Sequence, residues 1–209
     1  MAKLLYIQAS PRDGRSHSIQ VADAFLAAYR KAHPGDAVVT IDLFRKDLPA
    51  FDGAILDAKY AIMHGKQHTA EQAKAWKVVE AIIAEFTSAD KYLLAVPMWN
   101  FGIPYRLKHY LDILLQPGYT FSFSPEKGCE GLVKGKPCMI AFARGGDYEN
   151  ADPNAVDFQK RYLELALGFI GITDIRSVVV QPTLQAGPEA ASRKTDAAIA
   201  EARKLAEKF

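Results

Sequence analysis

The sequence contains 209 residues, of which 49% are apolar, and its 26 basic and 24 acidic side chains leave a net charge of only +2 at pH 7. A chain of this length and composition can bury one sizeable core, so we expect a single domain spanning residues 1–209. The near-neutral charge, without a basic run, argues against nucleic acid as a partner, and no apolar run approaches the roughly 20 residues that a membrane span needs.

The first predicted elements are a strand, a polar loop and a helix. Residues 3–9 form a short apolar run, and apolar side chains recur at helical spacing after the loop. The loop, residues 10–18 (SPRDGRSHS), brings Ser16, His17 and Ser18 to the start of the helix, where backbone N–H groups lack an intrahelical partner. Unpaired amides, hydroxyl donors and the positive end of the helix dipole together suit a phosphate group. The alternative is that Ser16 only caps the helix.

This loop differs from two familiar phosphate-binding loops. It has one glycine where the dinucleotide fingerprint has three, and it lacks the Gly-Lys-Ser/Thr ending of a nucleoside-triphosphate loop. The composition therefore favours a ligand with a single terminal phosphate.

The next elements alternate between strand and helix. A β-branched strand is predicted over residues 37–41, and a buried parallel strand over residues 91–96 follows an amphipathic helix over residues 70–86. The segment 42–68 interrupts this alternation and is weakly helical over residues 54–63. We expect it either to cover a site or to form a connection packed on the surface.

The second half of the chain continues the pattern. Pro104 favours the start of a helix that runs to residue 114, and residues 120–135 predict a short hairpin-like insertion. The remaining predicted elements are a buried strand (137–142), a helix (154–168), a strand (174–180) and a last helix after Gly187. Five strands interleaved with helices predict an α/β fold with a doubly wound, five-stranded parallel sheet.

Three loops of unusual composition follow predicted strands, at the carboxyl ends where ligands bind in such sheets. The first is residues 10–18. The second, residues 97–102 (PMWNFG), suits a flat ring, and the third, residues 143–146 (ARGG), ends in two glycines that let a backbone approach a ring edge. Together they predict a site for flavin mononucleotide (FMN). The alternatives are core packing for the aromatic residues and a plain turn for the glycine pair.

These residues resemble a known family over the whole chain: the flavodoxin-like NAD(P)H quinone reductases and FMN-dependent NADH azoreductases. The segments that carry the resemblance are Ser10 with Ser16-His17-Ser18, Pro97-Met98-Trp99-Asn100-Phe101, Gly131-Leu132-Val133 with Gly135-Lys136, Arg144-Gly145-Gly146 and Leu167-Gly168-Phe169-Ile170-Gly171-Ile172. The resemblance implies a flavodoxin-like fold and a homodimer in which the partner subunit completes the site. Two positions depart from the family pattern: Trp99 stands where tyrosine is common, and Ala143 stands where a serine often precedes Arg-Gly-Gly.

The resemblance also assigns the cofactor-binding residues. By it, Ser10, Ser16, His17 and Ser18 hold the FMN phosphate, Pro97, Met98, Trp99, Asn100 and Phe101 embrace the isoalloxazine, and Ala143, Arg144, Gly145 and Gly146 meet its pyrimidine end. No side chain is expected to act as a nucleophile, because the flavin carries the chemistry. Tyr119, Phe123 and the segment 54–66 are further candidates for a substrate-facing wall.

One competing motif joins Cys138 and Arg144, whose spacing matches the cysteine-x5-arginine signature of low-molecular-weight phosphatases. A phosphate cradle needs backbone amides that curl inward, whereas residues 139–143 are predicted to form an extended apolar strand whose amides pair within the sheet. We therefore expect the match to be coincidental.

No metal centre is predicted. Cys129 and Cys138 lack metal-ligand spacing, and His17, His64 and His68 have no acidic or sulfur partner at such spacing. Because the fold does not depend on disulfides and no signal-peptide pattern is present, we expect a cytoplasmic protein.

The predicted function is a two-electron reduction in which NAD(P)H reduces bound FMN, leaves, and is replaced by a quinone, an azo compound or a similar aromatic acceptor. Two alternatives share the predicted fold: a one-electron carrier like flavodoxin, and a flavin-binding sensor. Such carriers are usually strongly acidic, and a chain with a net charge of +2 lacks that steering field. The physiological acceptor and the choice between NADH and NADPH stay open at this point.

Overall fold

Five parallel strands form the central sheet in the computed structural model, which describes residues 1–63, 66–67, 69–148 and 156–209. The strands are β1 (Lys3–Gln8), β2 (Ala37–Asp42), β3 (Lys91–Pro97), β4 (Phe121–Ser124), β5 (Gly128–Gly131), β6 (Cys138–Ala143) and β7 (Ile175–Val180). The sheet has the order β2-β1-β3-β6-β7, and β4 and β5 pair separately as an antiparallel hairpin. The predicted fold class, sheet size and hairpin are confirmed.

Within the described ranges, six α-helices connect and cover these strands. They are α1 (His17–Ala32), α2 (Gly53–Met63), α3 (Ala70–Thr87), α4 (Tyr105–Leu114), α5 (Lys160–Phe169) and α6 (Gly187–Ala206). A short 3-10 turn, Asp13–Arg15, precedes α1. The helices lie on both faces of the sheet, because two separate clusters of buried apolar side chains cover it: one contains Phe25, Tyr29, Ala198 and Ala202, and the other contains Trp76, Val79, Tyr110 and Leu163.

The strand order explains where a ligand can bind. The central strands β3 and β6 are apolar and buried on both faces, as expected of parallel strands covered by helices on each side. Because β2 lies on one side of β1 and β3 on the other, the direction of winding reverses between β1 and β3. Crevices at the carboxyl ends of such neighbouring strands are the usual ligand sites of doubly wound sheets.

The segment 42–68 contains α2, as its weak helical pattern predicted. Leu43, Leu48, Ile55 and Ala58 of this segment are buried in the same cluster as Trp76 of α3, so the described part of the segment packs on the core. Residues 64, 65 and 68, which include two of the histidines considered above, lie outside the described residues.

The predicted start of α5 is wrong. The sequence pattern placed it at residue 154, which lies outside the described residues, whereas residues 156–159 are not helical and α5 begins at Lys160. Asp157 causes the late start: its Oδ1 accepts from the backbone N–H groups of Gln159 at 3.1 Å and Lys160 at 3.0 Å. A carboxylate that accepts from the amides just ahead of it holds the chain in a turn and satisfies helix donors that have no intrahelical partner.

Candidate functional site

The loops that follow β1, β3 and β6 surround one cavity, together with a fourth loop after β7. The residues that line it are Ser10, Arg12, Ser16, His17, Pro97, Met98, Trp99, Ala143, Gly145, Thr183 and Leu184. Eight of the thirteen predicted cofactor-binding residues belong to this set. The three predicted loops therefore converge, as the strand order requires.

The first loop presents hydroxyl groups that helix capping does not use. Ser10, Ser16 and Ser18 are all buried, and Ser16 occupies the N-cap position of α1 without making a side-chain capping bond. Instead, Ser16 Oγ lies 3.0 Å from Ser18 Oγ, so the alternative that Ser16 only caps the helix does not describe its side chain. Buried hydroxyls beside a helix N-terminus form a donor set for an anion.

His17 lies beside these hydroxyls in a defined orientation. Its Nδ1 lies 2.9 Å from Thr195 Oγ1, and the Thr195 hydroxyl donates its only proton to the carbonyl of Ala191 at 2.7 Å. His17 Nδ1 must therefore be the donor, which leaves Nε2 for a ligand in the cavity. Burial, together with the positive charge of Arg12, lowers the pKa of His17 from 6.5, so the ring is neutral near pH 7.

The second loop is a tight turn between Trp99 and Gly102. Each of these residues donates its N–H to the carbonyl of the other at 3.0 Å. The two central residues, Asn100 (φ 46°) and Phe101 (φ 70°), have left-handed backbone conformations that favour glycine. The side chain of Trp99 packs against Phe44, with ring centroids 5.6 Å apart. Met98 and Trp99 line the cavity, whereas Asn100 and Phe101 are exposed and do not.

The third loop contributes Ala143 and Gly145 to the cavity and is held by the loop after β7. The backbone N–H of Thr183 donates to the carbonyl of Arg144, and that of Leu184 donates to the carbonyl of Gly145. A Cβ at Gly145 would lie 3.0 Å from Leu184 Cδ1, which explains how the missing side chain lets the two loops meet. Gly146 does not line the cavity; its nearest side chain is that of Tyr148.

The structure places several predicted residues elsewhere. The guanidinium of Arg144 is buried and bonded to Asp157, Gln159 and Gln181 instead of lining the cavity. Tyr119 does not form a wall of the cavity, because its hydroxyl donates to Glu80 and accepts from the Trp76 indole on α3. Phe123, on the β4–β5 hairpin, lies against a different groove.

Sequence reasoning missed Thr183 and Leu184. They follow β7, so their position next to β6 made them candidates, but their residue types are common in any surface loop. Arg12 is a third lining residue without a predicted role, although the loop that contains it was singled out. The signal that could have identified all three is the strand order, since parallel neighbours end at the same edge of the sheet.

The phosphatase motif is excluded by the positions of its two residues. Cys138 is the first residue of β6 and Arg144 follows the last, so the strand separates them. The thiol is buried, and that burial raises the pKa of Cys138 far above its usual range. In the part of the chain that the structure describes, no three His, Cys, Asp or Glu residues cluster as metal ligands. No helix there is long and apolar enough to cross a membrane.

Comparison with known proteins gives consistent matches over the full length. Residues 2–206 match the model of a family described by its flavodoxin-like fold. An FMN-dependent NADH:quinone oxidoreductase of Nitratidesulfovibrio vulgaris (strain DP4) is 52% identical over 210 residues, covering 100% of both chains. The crystal structure of an azoreductase from Bacillus anthracis str. Sterne superposes with a TM-score of 0.92 at 35% identity, again covering 100% of both chains. An FMN-dependent NADH-azoreductase from Bacillus anthracis str. Ames Ancestor, solved in complex with FMN, superposes with a TM-score of 0.87 at 31% identity, covering 99% of this chain and 100% of that one.

Proposed function

The chain belongs to the family with the flavodoxin-like fold, and we propose that it is an FMN-dependent NADH:quinone oxidoreductase that also reduces azo compounds. The observation that carries this proposal is the convergence of the loops after β1, β3 and β6 on one cavity with hydroxyl donors at one end and an aromatic loop beside it. The relatives are named for the same activities that the sequence resemblance implies.

The residues present fit FMN. At the phosphate end, Ser10 and Ser16 supply buried hydroxyls that line the cavity, and His17 supplies a ring nitrogen. Ser18 does not line the cavity but contacts the Ser16 hydroxyl, and we propose that it supports that group. The first amides of α1 lie beside them and favour a negative charge. One anion site of this size matches the single phosphate of FMN and not the pyrophosphate of FAD.

The ring would lie between the second and third loops. Pro97, Met98 and Trp99 offer an apolar surface along one side of the cavity. On the other side, Ala143 and Gly145 have little or no side chain and leave space for the ring edge. Asn100, Phe101, Arg144 and Gly146 are proposed to act through the backbone or through their effect on loop shape, because these residues do not line the cavity.

When bound, FMN would accept a hydride equivalent from NADH and deliver two electrons to the acceptor. The chain's own contribution is to hold the ring and to leave one face open, so that NADH and then the acceptor can stack on it in turn. We propose ping-pong kinetics for this reason. A carrier or a sensor is less well supported, because the relatives are named as NADH-dependent enzymes. In addition, a chain with a net charge of +2 lacks the strong negative charge by which such carriers attract their partner proteins.

We further propose that residues 1–209 form one domain that acts as a homodimer in the cytoplasm. Leu165 and Phe169 of α5 are exposed apolar residues, and the Phe169 ring packs on Phe121 of the neighbouring hairpin. An apolar surface of this kind suits a second copy of the chain. The cytoplasm supplies NADH and keeps thiols such as Cys129 reduced.

The decisive experiment uses the purified protein. Its visible spectrum is recorded, the cofactor is released by heat and identified by chromatography, and the holoenzyme is mixed anaerobically with NADH. We expect FMN to be released and the flavin absorbance to bleach on mixing. Recovery of FAD, or a colourless protein that binds no added flavin, contradicts the assignment of the site. Bleaching that requires a separate donor protein supports the carrier instead.

A further inference from the structure

Arg144 belongs to the third loop, one of the two proposed to hold the ring, yet it does not line the cavity. Only 5% of the residue is exposed. Its Nε donates to Gln159 Oε1 at 2.9 Å and its Nη2 donates to Asp157 Oδ2 at 2.7 Å. A buried guanidinium with partners on two faces of its fork is held in one orientation.

Gln159 continues this connection to the other loop. The residue is fully buried, and while its Oε1 accepts from Arg144, its Nε2 donates to the carbonyl of Val96 at 3.0 Å. Val96 is the residue directly before Pro97, where the second loop begins. One amide side chain therefore links the third loop to the end of β3.

The neighbouring residues reinforce the link. The backbone N–H of Phe158 donates to the carbonyl of Phe101 at 3.0 Å, so the segment 157–159 contacts both ends of the second loop. Asp157 uses Oδ1 to hold the turn before α5 and Oδ2 to bind Arg144. Because the second loop contains two non-glycine residues with left-handed backbones, it needs such external contacts to keep its shape.

We propose that Arg144, Gln159 and Asp157 are positioning residues that set the separation of the two loops on either side of the ring. This inference rests on the proposed function, since it assigns a role at the same site. None of the three side chains lines the cavity, so their effect passes through the backbones of residues 96–101 and 143–146. These three residues form a bridge between the loops. Because this bridge sets the width of the ring site, it controls how tightly FMN binds, how the bound ring absorbs light and how it reacts.

Gln159→Leu is the main test. It removes both bonds of the amide but leaves Arg144 paired with Asp157, so no buried charge loses its partner. We expect the dissociation constant of FMN to rise roughly tenfold, in line with the loss of buried hydrogen bonds. At saturating FMN, we also expect a shifted flavin spectrum and a lower kcat/KM for NADH, which a loss of stability alone does not produce.

Two further variants separate the parts of the bridge. Arg144→Lys keeps the charge opposite Asp157 but cannot contact Asp157 and Gln159 together, and should weaken FMN binding less than Gln159→Leu. Asp157→Asn keeps an oxygen that can hold the turn before α5 but leaves the buried Arg144 charge without its partner, so it tests the ion pair only where the variant folds. We expect it also to alter the flavin spectrum. If Gln159→Leu does not fold, Arg144→Lys, which keeps the charge pair, decides the question.

Arg176→Met is the matched control. Arg176 pairs with Asp174 near the amino end of β7, away from the carboxyl edge of the sheet where the cavity lies. This variant should leave FMN affinity and the flavin spectrum unchanged. The inference is overturned if the folded bridge variants bind FMN as the parent does, with the same spectrum and kcat/KM, and differ only in their unfolding temperature. A parent that binds no FMN or is not reduced by NADH overturns the proposed function instead.

Discussion

His17 Nδ1 lies 2.9 Å from Thr195 Oγ1, although the two residues are 178 positions apart in the chain. The Thr195 hydroxyl is bonded to Ala191 as a donor, so it accepts from the His17 ring. This contact fixes the tautomer of His17 and leaves Nε2 free of the proton, and His17 lines the cavity whose serine end we assign to the phosphate. The neutral ring presents a lone pair there, and the protonated ring presents a donor.

The first prediction follows from this geometry. In the ligand-free protein, burial and Arg12 lower the pKa of His17 from 6.5, and a phosphate beside Nε2 should raise it again. When binding raises the pKa of a group, that group stabilises the complex fully at pH values below its pKa in the free protein. The stabilisation is lost as the pH rises through the pKa of the group in the complex. We therefore expect the contribution of His17 to FMN binding to be full at low pH and to be lost as pH rises through the raised pKa.

The control for this prediction separates His17 from the ligand, because a phosphate monoester itself titrates near pH 6. His17→Gln keeps a hydrogen-bonding side chain without a titrating ring. We expect the variant to bind FMN several-fold more weakly than the parent at about pH 6, with the difference narrowing toward pH 8. Parallel curves for parent and variant would contradict the assignment of Nε2 to the phosphate.

Much of the architecture was predictable because it depends on local patterns. The strands β3 and β6 are short runs of apolar residues, and α3 has apolar residues at helical spacing, so their types and approximate bounds follow from the sequence. The convergence of three loops at one edge then follows from the rule that parallel strands end together.

The details that sequence reasoning missed depend on contacts between distant residues. Nothing local requires left-handed backbones at Asn100 and Phe101, since glycine is the usual residue in such a turn. The direction of the Arg144 side chain is decided by Asp157 and Gln159, more than ten residues further on. The sequence resemblance placed Arg144 among the residues that meet the ring because this distant contact cannot be read from the sequence.

The second prediction concerns Gly145→Val. The backbone of Gly145 is not left-handed, so valine can adopt it. The new Cβ would meet Leu184 Cδ1 at 3.0 Å, but that is the end of a flexible side chain that is 76% exposed and can move aside. We expect a folded protein with a dissociation constant for FMN raised roughly tenfold or more, because the branched side chain occupies space at the ring edge. Fluorescence titration with FMN measures the change.

A double variant identifies the cause of that loss. If the valine displaces Leu184 into the ring site, Gly145→Val with Leu184→Ala should recover FMN binding. If the valine itself occupies the site, the double variant should bind as weakly as Gly145→Val. Parental affinity in Gly145→Val would show that the third loop does not contact the ring.

The third prediction tests the proposed homodimer. Leu165 of α5 is 72% exposed, and a second copy of the chain is proposed to cover it. Leu165→Glu places a charge in that interface, so light scattering should report a monomer. Steady-state kinetics of this monomer should give a higher KM for the quinone. Val78→Glu, which alters an exposed apolar residue on α3, is the matched control and should stay dimeric. A parent that is monomeric and fully active at dilute concentration would refute the dimer.

The last prediction concerns Cys138 and separates a reductase from a phosphatase. The thiol is fully buried in β6, and burial raises the pKa of Cys138 above its usual range, which disfavours the thiolate. The Arg144 guanidinium, which a phosphatase would need for its substrate, is bonded to Asp157 and Gln159. Cys138 therefore acts as a small apolar side chain, and Cys138→Ala should cost roughly 1 kcal/mol of folding stability through a small cavity.

Two assays on this one variant decide between the chemistries. In the first, NADH is added anaerobically without acceptor and a quinone follows; if the kinetics are ping-pong, the flavin absorbance should bleach and then return in two separable steps. Cys138→Ala should complete both steps as the parent does, because Cys138 does not line the cavity. In the second assay, hydrolysis of an aryl phosphate should be undetectable in both proteins, since a covalent mechanism needs the thiolate that burial disfavours. Loss of either flavin step in the variant, or a phosphatase activity in the parent that Cys138→Ala abolishes, would overturn the proposed function and place the chemistry at β6.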